Sequence, residues 1–443
     1  MLFGTAGIRG DLKRITPQFA LRLGKSVAVF AERRKLPVMV GKDGRTSSDM
    51  LSQAIIAGVL SHGVPVVDVG CVPTPGLAFA CDYCGVMVTA SHNPPDNNGM
   101  KVFVNHRELY PSEEREIEEI MEKSSALCSW RLPSVTQADV IPSYRKAVLS
   151  YVKKECGSNY SGKRIVADCG NGMGALVTPD ILKKMGCEVT TLFREVTGRF
   201  ERSPEPSEKN ISLLKETVVE TGADMGIAHD GDADRITVVD EKGNVIPEDS
   251  VIALFAGYYV GKGDCIVTSI NTSFRIDEYV SRKGGYTKRV MLGNLHEGIL
   301  KYKAVFAGEP WKHIHVRFGN WIDGIVSAAL LVKFIQNTKA SHLCSEINDY
   351  PLEKINIITE DKPSVVTLFK ERIENLTHIN EVITVSGVRA NFGDGSWILV
   401  RPSGTEPKVR ITIEGVNQQK FAMLKKFIEK TLDESKSLYS IVN

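Results

Sequence analysis

Residues 37–70 read PVMVGKDGRTSSDMLSQAIIAGVLSHGVPVVDVG, and the pattern of this stretch decides the fold class. Short apolar runs at 37–41 and 64–70 flank a segment, 49–61, whose apolar residues recur at helical spacing. Two strands joined by one helix through short connections pair in parallel, with a right-handed crossover. The stretch therefore predicts an α/β fold built on a sheet that contains parallel strands.

The same alternation of strand and helix restarts twice along the chain and then changes. The last ~90 residues instead show strands around Ile357, Ile383, Ile398 and Ile411, followed by a helix at 418–432. We predict three α/β domains with mixed sheets and a C-terminal α+β domain. Their expected bounds follow the breaks in this pattern and are 1–140, 141–243, 244–349 and 350–443.

Composition excludes several classes of protein. Of the 443 residues, 42% are hydrophobic and 24% charged, as in a globular protein, and the net charge is only +2. A charge so close to zero gives no broad attraction to nucleic acid or to an anionic membrane. No apolar run approaches the ~20 residues of a membrane helix, and the N-terminus has no secretory pattern. Together with nine scattered Cys, this predicts a cytoplasmic protein without nucleic-acid or membrane partners.

The first polar loop, TASHNPP at 89–95, follows the apolar run 85–88. Open α/β sheets place ligand-binding groups just past the carboxyl ends of their strands, which is where Ser91 is expected. From the local sequence alone, Ser91 is a nucleophile, a phosphate carrier or a turn residue. The adjacent His92 suggests a Ser-dependent hydrolase, but neighbours on an extended backbone point to opposite sides. The G-x-S-x-G pattern of such hydrolases is also missing.

The second polar loop lies in HDGDADRITVVD, at 229–240. On an extended backbone, Asp230, Asp232 and Asp234 would turn their carboxylates to one side, where a divalent cation relieves their repulsion. An EF-hand does not fit, because Arg235 stands where that loop needs Gly. Three carboxylates leave room for a ligand oxygen, which favours Mg²⁺ in phosphoryl chemistry. The alternative is a solvated acidic turn.

Two further polar loops lie in AGEPWKHIHVRFGNWIDG (307–324) and RPSGTEPKVRI (401–411). The first crowds carboxylate, ammonium and imidazole groups between apolar segments, so it is either a sugar and anion site or an exposed polar loop; these residues are Glu309, Lys312, His313, His315 and Arg317. The second combines hydroxyls, guanidinium groups and a flexible backbone, which together form an anion-binding nest. Its residues are Arg401, Ser403, Gly404, Thr405 and Arg410.

In this order, the four loops resemble those of the α-D-phosphohexomutase superfamily, which includes phosphoglucomutase, phosphomannomutase and phosphoglucosamine mutase. Two more stretches carry the resemblance, FGTAGIRG at 3–10 and VGKDGR at 40–45. The resemblance extends over essentially the whole chain. It implies four domains arranged around a central cleft.

The resemblance also implies roles for individual residues. Ser91 would be the phosphoserine, and Asp230, Asp232 and Asp234 would hold Mg²⁺ together with an oxygen on Ser91. The residues close to the transferring phosphate would be Arg9, His92, Lys101 and Arg235. Glu309 and His313 would recognise the sugar. The residues that hold the non-reacting phosphate would be Arg401, Ser403, Gly404, Thr405 and Arg410.

The implied reaction interconverts a hexose 1-phosphate and a hexose 6-phosphate through a hexose 1,6-bisphosphate, which would also act as activator. The expected partner is a small phosphosugar, bound to a monomer or homodimer. Lys101, Arg9 and His92 are all candidates for the general acid and base. The alternative is a phosphosugar-binding homologue with weakened catalysis.

The sugar loop departs from the pattern of that superfamily. There, a Glu, a variable residue, Ser, Gly and His follow one another, whereas Trp311 and Lys312 replace the Ser and the Gly in this chain. Trp311 either stacks on a sugar face or packs under the loop. Glucosamine, mannose and glucose phosphates therefore all remain open as substrates.

Overall fold

The computed structural model describes residues 2–4, 7–34, 36–123, 133–157, 162–403, 407–434 and 440–442 of the chain. Its strands are β1 (Ile8–Asp11), β2 (Val38–Lys42), β3 (Val66–Cys71), β4 (Cys84–Val88), β5 (Asn97–Val104), β6 (Arg107–Glu108), β7 (Val135–Gln137), β8 (Arg164–Asp168), β9 (Glu188–Leu192), β10 (Met225–His229), β11 (Ile236–Asp240), β12 (Cys265–Ser269), β13 (Tyr286–Val290), β14 (Phe306–Glu309), β15 (Lys312–Ile314), β16 (Leu352–Ile358), β17 (Ile379–Ile383), β18 (Val388–Phe392), β19 (Trp397–Pro402), β20 (Lys408–Glu414) and β21 (Ser440–Val442). Its α-helices are α1 (Pro17–Glu32), α2 (Ser48–Ser61), α3 (Thr74–Ala80), α4 (Pro111–Lys123), α5 (Ile141–Cys156), α6 (Thr178–Lys184), α7 (Ser212–Thr221), α8 (Glu248–Tyr259), α9 (Phe274–Arg282), α10 (Leu295–Tyr302), α11 (Gly324–Phe334), α12 (Lys362–Glu374) and α13 (Gln418–Asp433).

Local signals explain where several elements begin. The side chain of Thr16 accepts a hydrogen bond from the amide of Phe19 at 3.1 Å, and Pro17 occupies the first helical position of α1. A capping hydroxyl and a proline at these two positions are typical of a helix N-terminus. At the other end of the chain, Asn417 caps α13 by accepting from the amide of Lys420 at 2.8 Å.

The chain divides into two compact units, of which the first comprises Met1–Val251 and Val305–Ser345. Its largest sheet has the strand order β1-β5-β4-β2-β3-β7, with β6 paired to β5. The central strands β4, β2 and β3 are parallel, as the opening stretch predicts, whereas β5 runs antiparallel to both β4 and β1. Helices α1, α2 and α4 cover one face and bury an aliphatic core that includes Leu23, Ile55 and Ile117.

A second sheet of this unit has the order β11-β10-β8-β9 and is also mixed. Strands β8, β9 and β10 are parallel, and β11 returns antiparallel to β10. The connection between β10 and β11 is the acidic loop, so the sheet topology places that loop at the carboxyl end of a parallel strand. Strands β14 and β15 of the same unit form a short antiparallel hairpin.

The second unit comprises Ile252–Ala304 and Glu346–Asn443. In its first segment, β12 and β13 pair in parallel, with α9 between them in the chain. In its second segment, a sheet of order β17-β18-β19-β20-β16-β21 is antiparallel throughout. Helices α12 and α13 pack on this sheet through side chains such as Phe369 and Leu424. This is the predicted α+β module.

These observations confirm the predicted fold class, three α/β regions with mixed sheets followed by an α+β region. The domain bounds at residues 140, 243 and 349 stay a prediction. Among the residues that the structure describes, no helix combines the length and the apolar character needed to cross a membrane.

Candidate active site

Ser91 lies in the loop that leaves the carboxyl end of β4, and its side chain is fully buried. Its backbone is left-handed, with φ of 53°. For a residue other than glycine this conformation is uncommon and is retained where the surroundings impose it, frequently at functional sites. The strand and the strained turn together carry the Ser91 hydroxyl towards the acidic loop.

The position of His92 corrects the sequence-based expectation. Neighbouring residues on an extended backbone point apart, but the left-handed turn at Ser91 brings the two side chains to the same side. His92 Nδ1 lies 3.2 Å from Ser91 Oγ. Burial and the nearby cations Arg235 and Arg9 strongly lower the pKa of His92, so its imidazole is uncharged.

The three aspartates converge as predicted, although the backbone does not follow the predicted course. The acidic loop is a turn rather than an extended strand, because Ala233 adopts a left-handed conformation with φ of 61°. The carboxylates of Asp230, Asp232 and Asp234 are all buried, and one oxygen from each lies within 4.8 Å of the others. The turn gathers the carboxylates more tightly than a flat strand would.

This carboxylate group is joined to the serine loop by hydrogen bonds. Ser91 Oγ donates to Asp230 Oδ2 at 2.5 Å. The ammonium group of Lys101, on β5, lies 2.7 Å from Asp232 Oδ2 and 2.5 Å from Asp234 Oδ2. Burial opposes the charge of Lys101, but the two carboxylates outweigh that effect and raise its pKa. Burial and repulsion from the neighbouring carboxylates raise the pKa of Asp230.

The donor set fits a divalent metal ion. Asp232 Oδ1 and Asp234 Oδ1 are buried acceptors without a hydrogen-bond partner among the described residues. Carboxylate oxygens are the ligands that Mg²⁺ and Ca²⁺ prefer, and a buried carboxylate oxygen left without a partner is unfavourable. Asp230, Asp232 and Asp234 can therefore hold such an ion.

Cationic side chains surround the serine and point to an anionic ligand. Strand β1 carries Arg9, whose Nη1 lies 3.4 Å from His92 Nδ1. Arg9 Nε and Nη2 are buried donors without a partner in the part of the chain that the structure describes. Arg235 Nε lies 3.9 Å from both Asp230 Oδ2 and Asp234 Oδ1. Buried guanidinium donors of this kind are suited to phosphate oxygens.

The predicted sugar loop lies in the β14–β15 hairpin, which belongs to the first unit, as the serine and acidic loops do. Lys312 Nζ and Glu309 Oε1 form a buried ion pair of 2.9 Å. Trp311, at the tip, has a left-handed backbone with φ of 69°, and its ring lies 5.7 Å from the Arg235 guanidinium carbon. The carbonyl of Trp311 accepts from the amide of Ile236 at 3.0 Å, which ties the hairpin to the residues just after the acidic loop.

The two histidines and the arginine of this loop have separate surroundings. His313 Nδ1 lies 3.1 Å and His315 Nε2 lies 2.8 Å from Ser327 Oγ on α11. Burial lowers the pKa of His313 to about 3 and that of His315 well below its usual range. Arg317 instead pairs with Glu155 of α5 at 3.2 Å, away from the carboxylate group.

The predicted phosphate loop belongs to the second unit. Arg401 and Arg410 face each other across the β19–β20 ladder, and Ser403 is buried. Gly404 and Thr405 lie outside the described residues, as do Thr5 and Ala6 of the N-terminal stretch. Lys362 of α12 donates to the carbonyl of Ser403 at 2.9 Å and was missed by sequence reasoning.

The sequence did not predict two other contacts of the site, those of Thr74 and Arg45. Thr74 Oγ1 donates to Asp232 Oδ2 at 2.6 Å, from the first turn of α3. The guanidinium of Arg45 donates to carbonyl groups of the serine loop, including that of Ser91 at 2.8 Å. Arg45 falls within the VGKDGR stretch, which signalled importance without indicating a role. Thr74 follows β3 with no local motif to mark it.

Gly231 allows the serine loop and the acidic loop to meet. A Cβ at this position would lie 2.6 Å from the carbonyl oxygen of Ser91, closer than real Cβ atoms approach. Any larger residue would push the two loops apart, and glycine is therefore required for their contact.

Comparison with known proteins agrees with this geometry. Sequence profiles described as phosphoglucomutase/phosphomannomutase α/β/α domains I, II and III match residues 1–127, 142–243 and 247–350, and the profile of the C-terminal domain matches 355–431. A phosphopentomutase of Thermococcus kodakarensis is 46% identical over 434 residues, covering 95% of each chain. A probable phosphoglucosamine mutase of Methanosarcina barkeri is 39% identical and covers 93% of this chain and 95% of the relative.

A solved phosphoglucomutase/phosphomannomutase family protein of Burkholderia thailandensis has the same fold. Its TM-score is 0.88 at 24% identity, covering 99% of this chain and 98% of the other. Four matching domain profiles and relatives well above 30% identity leave no other assignment. The chain therefore belongs to the phosphoglucomutase/phosphomannomutase family of phosphosugar mutases.

Proposed function

We propose that the chain moves a phosphoryl group between two hydroxyls of a sugar monophosphate, with Ser91 as the phosphate carrier. One observation supports this above the others: the buried Ser91 hydroxyl donates to Asp230, a member of a carboxylate group suited to a divalent cation. The histidine beside Ser91 contacts the Arg9 guanidinium, whereas a triad base is oriented by a carboxylate. A serine placed between a metal-type site and buried guanidinium donors suits phosphoryl transfer better than hydrolysis.

In this proposal, the phosphoserine gives its phosphoryl group to the free hydroxyl of a sugar monophosphate. The resulting sugar bisphosphate turns over, and its other phosphate returns to Ser91. The bisphosphate also serves as activator, since an unphosphorylated Ser91 has no group to transfer. Asp230, Asp232 and Asp234 would hold Mg²⁺, which supplies charge neutralisation at the transferring phosphate.

The side chains around Ser91 divide the remaining work. Arg9 and Arg235 stabilise the negative charge that develops on the transferring oxygens. Burial opposes the charge of Lys101, but Asp232 and Asp234 outweigh it and raise the pKa, so Lys101 stays protonated and adds positive charge beside the transferring phosphate. His92 is uncharged, and its Nδ1 lies 3.2 Å from Ser91 Oγ, within hydrogen-bonding distance of the carrier. Burial and the nearby cations Arg235 and Arg9 lower its pKa, so its imidazole is a weak proton acceptor.

The remaining predicted residues would bind the sugar and the non-reacting phosphate. Glu309 and His313 would contact sugar hydroxyls. The residues proposed for the distal phosphate are Arg401, Ser403, Gly404, Thr405 and Arg410. We also propose that the chain is divided at residues 140, 243 and 349 into the four domains that supply these groups.

For the sugar, we propose a pentose 1-phosphate and 5-phosphate pair in preference to hexosamine phosphates. The Thermococcus relative, which shares 46% of its residues with this chain, is a phosphopentomutase. The buried pair between Lys312 and Glu309 supports a neutral sugar, because its ammonium already satisfies one oxygen of the carboxylate. The same ammonium would repel the amino group of a glucosamine phosphate.

Glucosamine phosphate is the second candidate, since the Methanosarcina barkeri relative, named a probable phosphoglucosamine mutase, is 39% identical to the chain. Glucose and mannose phosphates, which the sequence left open, belong in the same comparison. A homologue that binds phosphosugars with weakened catalysis is the alternative that turnover measurements would reveal.

The proposal is tested by loading the purified protein with ribose 1,5-bisphosphate or glucose 1,6-bisphosphate in the presence of Mg²⁺. Intact mass should increase by one phosphoryl group, and peptide mapping should place it on Ser91. Adding a sugar monophosphate should then remove the phosphate from the protein and produce its isomer. A loaded protein that carries no phosphate on Ser91 would overturn the carrier role.

A further inference from the structure

The backbone hydrogen bonds within the loop that carries Ser91 run from the amide of Asn93 to Ala90 and from that of Asn97 to Pro94. The side chain of Arg45 adds four more hydrogen bonds to carbonyl groups of this segment. Nη1 of Arg45 donates to the carbonyl oxygens of Pro94 and Asn97 at 2.6 and 3.0 Å. Nη2 donates to the carbonyl oxygens of Ser91 and Asn93, both at 2.8 Å. One planar guanidinium thus donates to four carbonyl groups between Ser91 and Asn97, of which the buried Ser91 carbonyl most needs a donor.

Arg45 is itself held in place. It is almost fully buried, and its Nε donates to Asp43 Oδ2 at 3.1 Å. The Asp43 carboxylate also accepts from the hydroxyls of Ser48 at 2.6 Å and Thr89 at 2.7 Å. A buried charge pair with its other positions satisfied by hydrogen bonds has one well-defined geometry.

The same network reaches Ser91 from the other side. Thr89 Oγ1 accepts a hydrogen bond from the amide of Ser91 at 2.8 Å while donating to Asp43. The amide and the carbonyl of Ser91 are therefore both fixed by the Asp43–Arg45 pair, one through Thr89 and the other directly. Between these two anchors, the backbone of Ser91 has the left-handed φ of 53°.

We propose that Arg45 is a positioning residue for phosphoryl transfer. Together with Asp43 and Thr89, it holds the Ser91 backbone in the left-handed conformation, so that Ser91 Oγ reaches the carboxylate group of the acidic loop. This inference rests on the proposed role of Ser91 as carrier. A lysine at position 45 has one ammonium with three donors and no planar fork, so it cannot reproduce four in-plane hydrogen bonds. A displacement of about 1 Å at a reacting atom can reduce the rate by about 10²-fold.

The test compares Arg45→Lys with Arg107→Lys, a matched control in the same unit. Arg107 forms a two-point ion pair with Glu113 at 2.7 and 2.9 Å and stacks on Tyr110, both of which lie outside the Ser91 loop. For each protein, the rate of Ser91 phosphorylation by a sugar bisphosphate is followed by intact mass. The steady-state kcat and KM for the sugar monophosphate and the melting temperature are also measured.

In Arg45→Lys, the phosphorylation rate and kcat should fall by about 10²-fold with KM nearly unchanged. Arg107→Lys, which weakens a two-point ion pair with Glu113, should keep the phosphorylation rate and kcat of the unmodified chain. Equal phosphorylation rates in Arg45→Lys and the unmodified chain would overturn the proposal. Failure of the unmodified chain to become phosphorylated on Ser91 would instead refute the carrier role on which the proposal rests.

Thr89→Val provides a second variant if Arg45→Lys does not fold. It keeps the shape of the side chain and removes both hydrogen bonds of Thr89, so phosphorylation should again slow while KM changes little. Thr237→Val is its control, because that hydroxyl donates to the carbonyl of Pro206 at 2.6 Å and not to the serine loop. Identical phosphorylation rates in the two valine variants would contradict the role of the network.

Discussion

Ser91 Oγ donates a 2.5 Å hydrogen bond to Oδ2 of Asp230, a residue 139 positions further along the chain. Two loops from different sheets of the first unit thus meet through a hydrogen bond between a hydroxyl and a buried carboxylate. The expected behaviour of the proposed mutase follows from this contact and from the charges around it.

Replacing Ser91 with Ala should abolish mutase turnover, because no other group at that position can carry the phosphoryl group. The loss of one buried hydrogen bond should reduce the free energy of unfolding by about 1–2 kcal/mol and leave the fold intact. Turnover and urea denaturation measure the two effects. Ser52→Ala, which removes a buried hydroxyl bonded to the carbonyl of Asp49, is the control and should retain turnover. Near-normal turnover in Ser91→Ala would exclude the phosphoserine.

Removing divalent metal with EDTA should stop turnover, and added Mg²⁺ should restore it. Asp232→Asn should require much more Mg²⁺ for half-maximal activity, because the amide removes one negative charge from the carboxylate group. Asp240→Asn is the control: its carboxylate caps the turn after β11 by accepting from the amides of Lys242 and Asn244. A protein indifferent to EDTA would contradict the metal assignment.

Much of the fold follows from the sequence, since the periodicity that predicts helices at 49–61 and 418–432 also sets which face of α2 and of α13 is buried. Strand β5 shows what the sequence does not predict, because its local pattern does not reveal that both neighbouring strands run antiparallel to it. Pairing direction depends on where distant strands lie, and Ile8 and Met100 become partners across 92 positions of chain. The missed helix α12 has only a weak apolar stripe.

The residue types of the candidate site were likewise readable in advance, but their geometry was not. The left-handed backbones at Ser91 and Ala233 overturned both expectations that assumed extended chain. A non-glycine residue is held in that conformation by tertiary contacts, which no local pattern encodes. Thr74 and Arg45 were missed for the same reason, because their roles arise from hydrogen bonds to residues far away in the chain.

Arg410→Ala should raise the KM for the sugar monophosphate by about tenfold or more, since a charge-assisted hydrogen bond to phosphate contributes roughly 1.5–3 kcal/mol. The kcat should change less, because the residue would bind the non-reacting phosphate in both ground and transition states. Steady-state kinetics with saturating activator measure both quantities. Arg372→Ala removes a half-exposed arginine paired with Glu434 and should leave KM unchanged. An unaltered KM in Arg410→Ala would remove it from the phosphate site.

The unmodified chain should show a higher kcat/KM for ribose 5-phosphate than for glucosamine 6-phosphate, because Lys312 disfavours a second ammonium nearby. Lys312→Met should shift the ratio towards glucosamine phosphate by roughly tenfold, equivalent to ~1.4 kcal/mol. Lys183→Met, at an exposed position on α6, is the control. If Lys312→Met leaves the ratio of the two kcat/KM values unchanged, sugar preference does not depend on the ion pair between Lys312 and Glu309.

Stability should fall as the pH drops below about 6.5, the ordinary pKa of histidine. The folded-state pKa of His313 is lowered to about 3 and that of His315 lies well below its usual range, both through burial. The unfolded chain therefore binds protons that the folded chain does not, and each histidine destabilises the fold by up to about 1.4 kcal/mol per pH unit.

This pH dependence is measured by urea denaturation at several values between pH 7 and 5. His315→Asn should reduce the slope of unfolding free energy against pH, and His342→Asn, at an exposed position, is the comparison variant. An unchanged slope in His315→Asn would show that this imidazole is accessible to protons in the folded chain.

The contact at Gly231 also limits how members of this family can be recombined. With 2.6 Å between a hypothetical Cβ and the Ser91 carbonyl oxygen, the two loops have no spare distance between them. A chimaera that takes residues 85–104 from one parent and 225–240 from another must inherit loops of compatible backbone shape, or the carrier serine and the carboxylates will not align. The serine and acidic loops therefore have to be exchanged together, even though some 140 residues separate them in the chain.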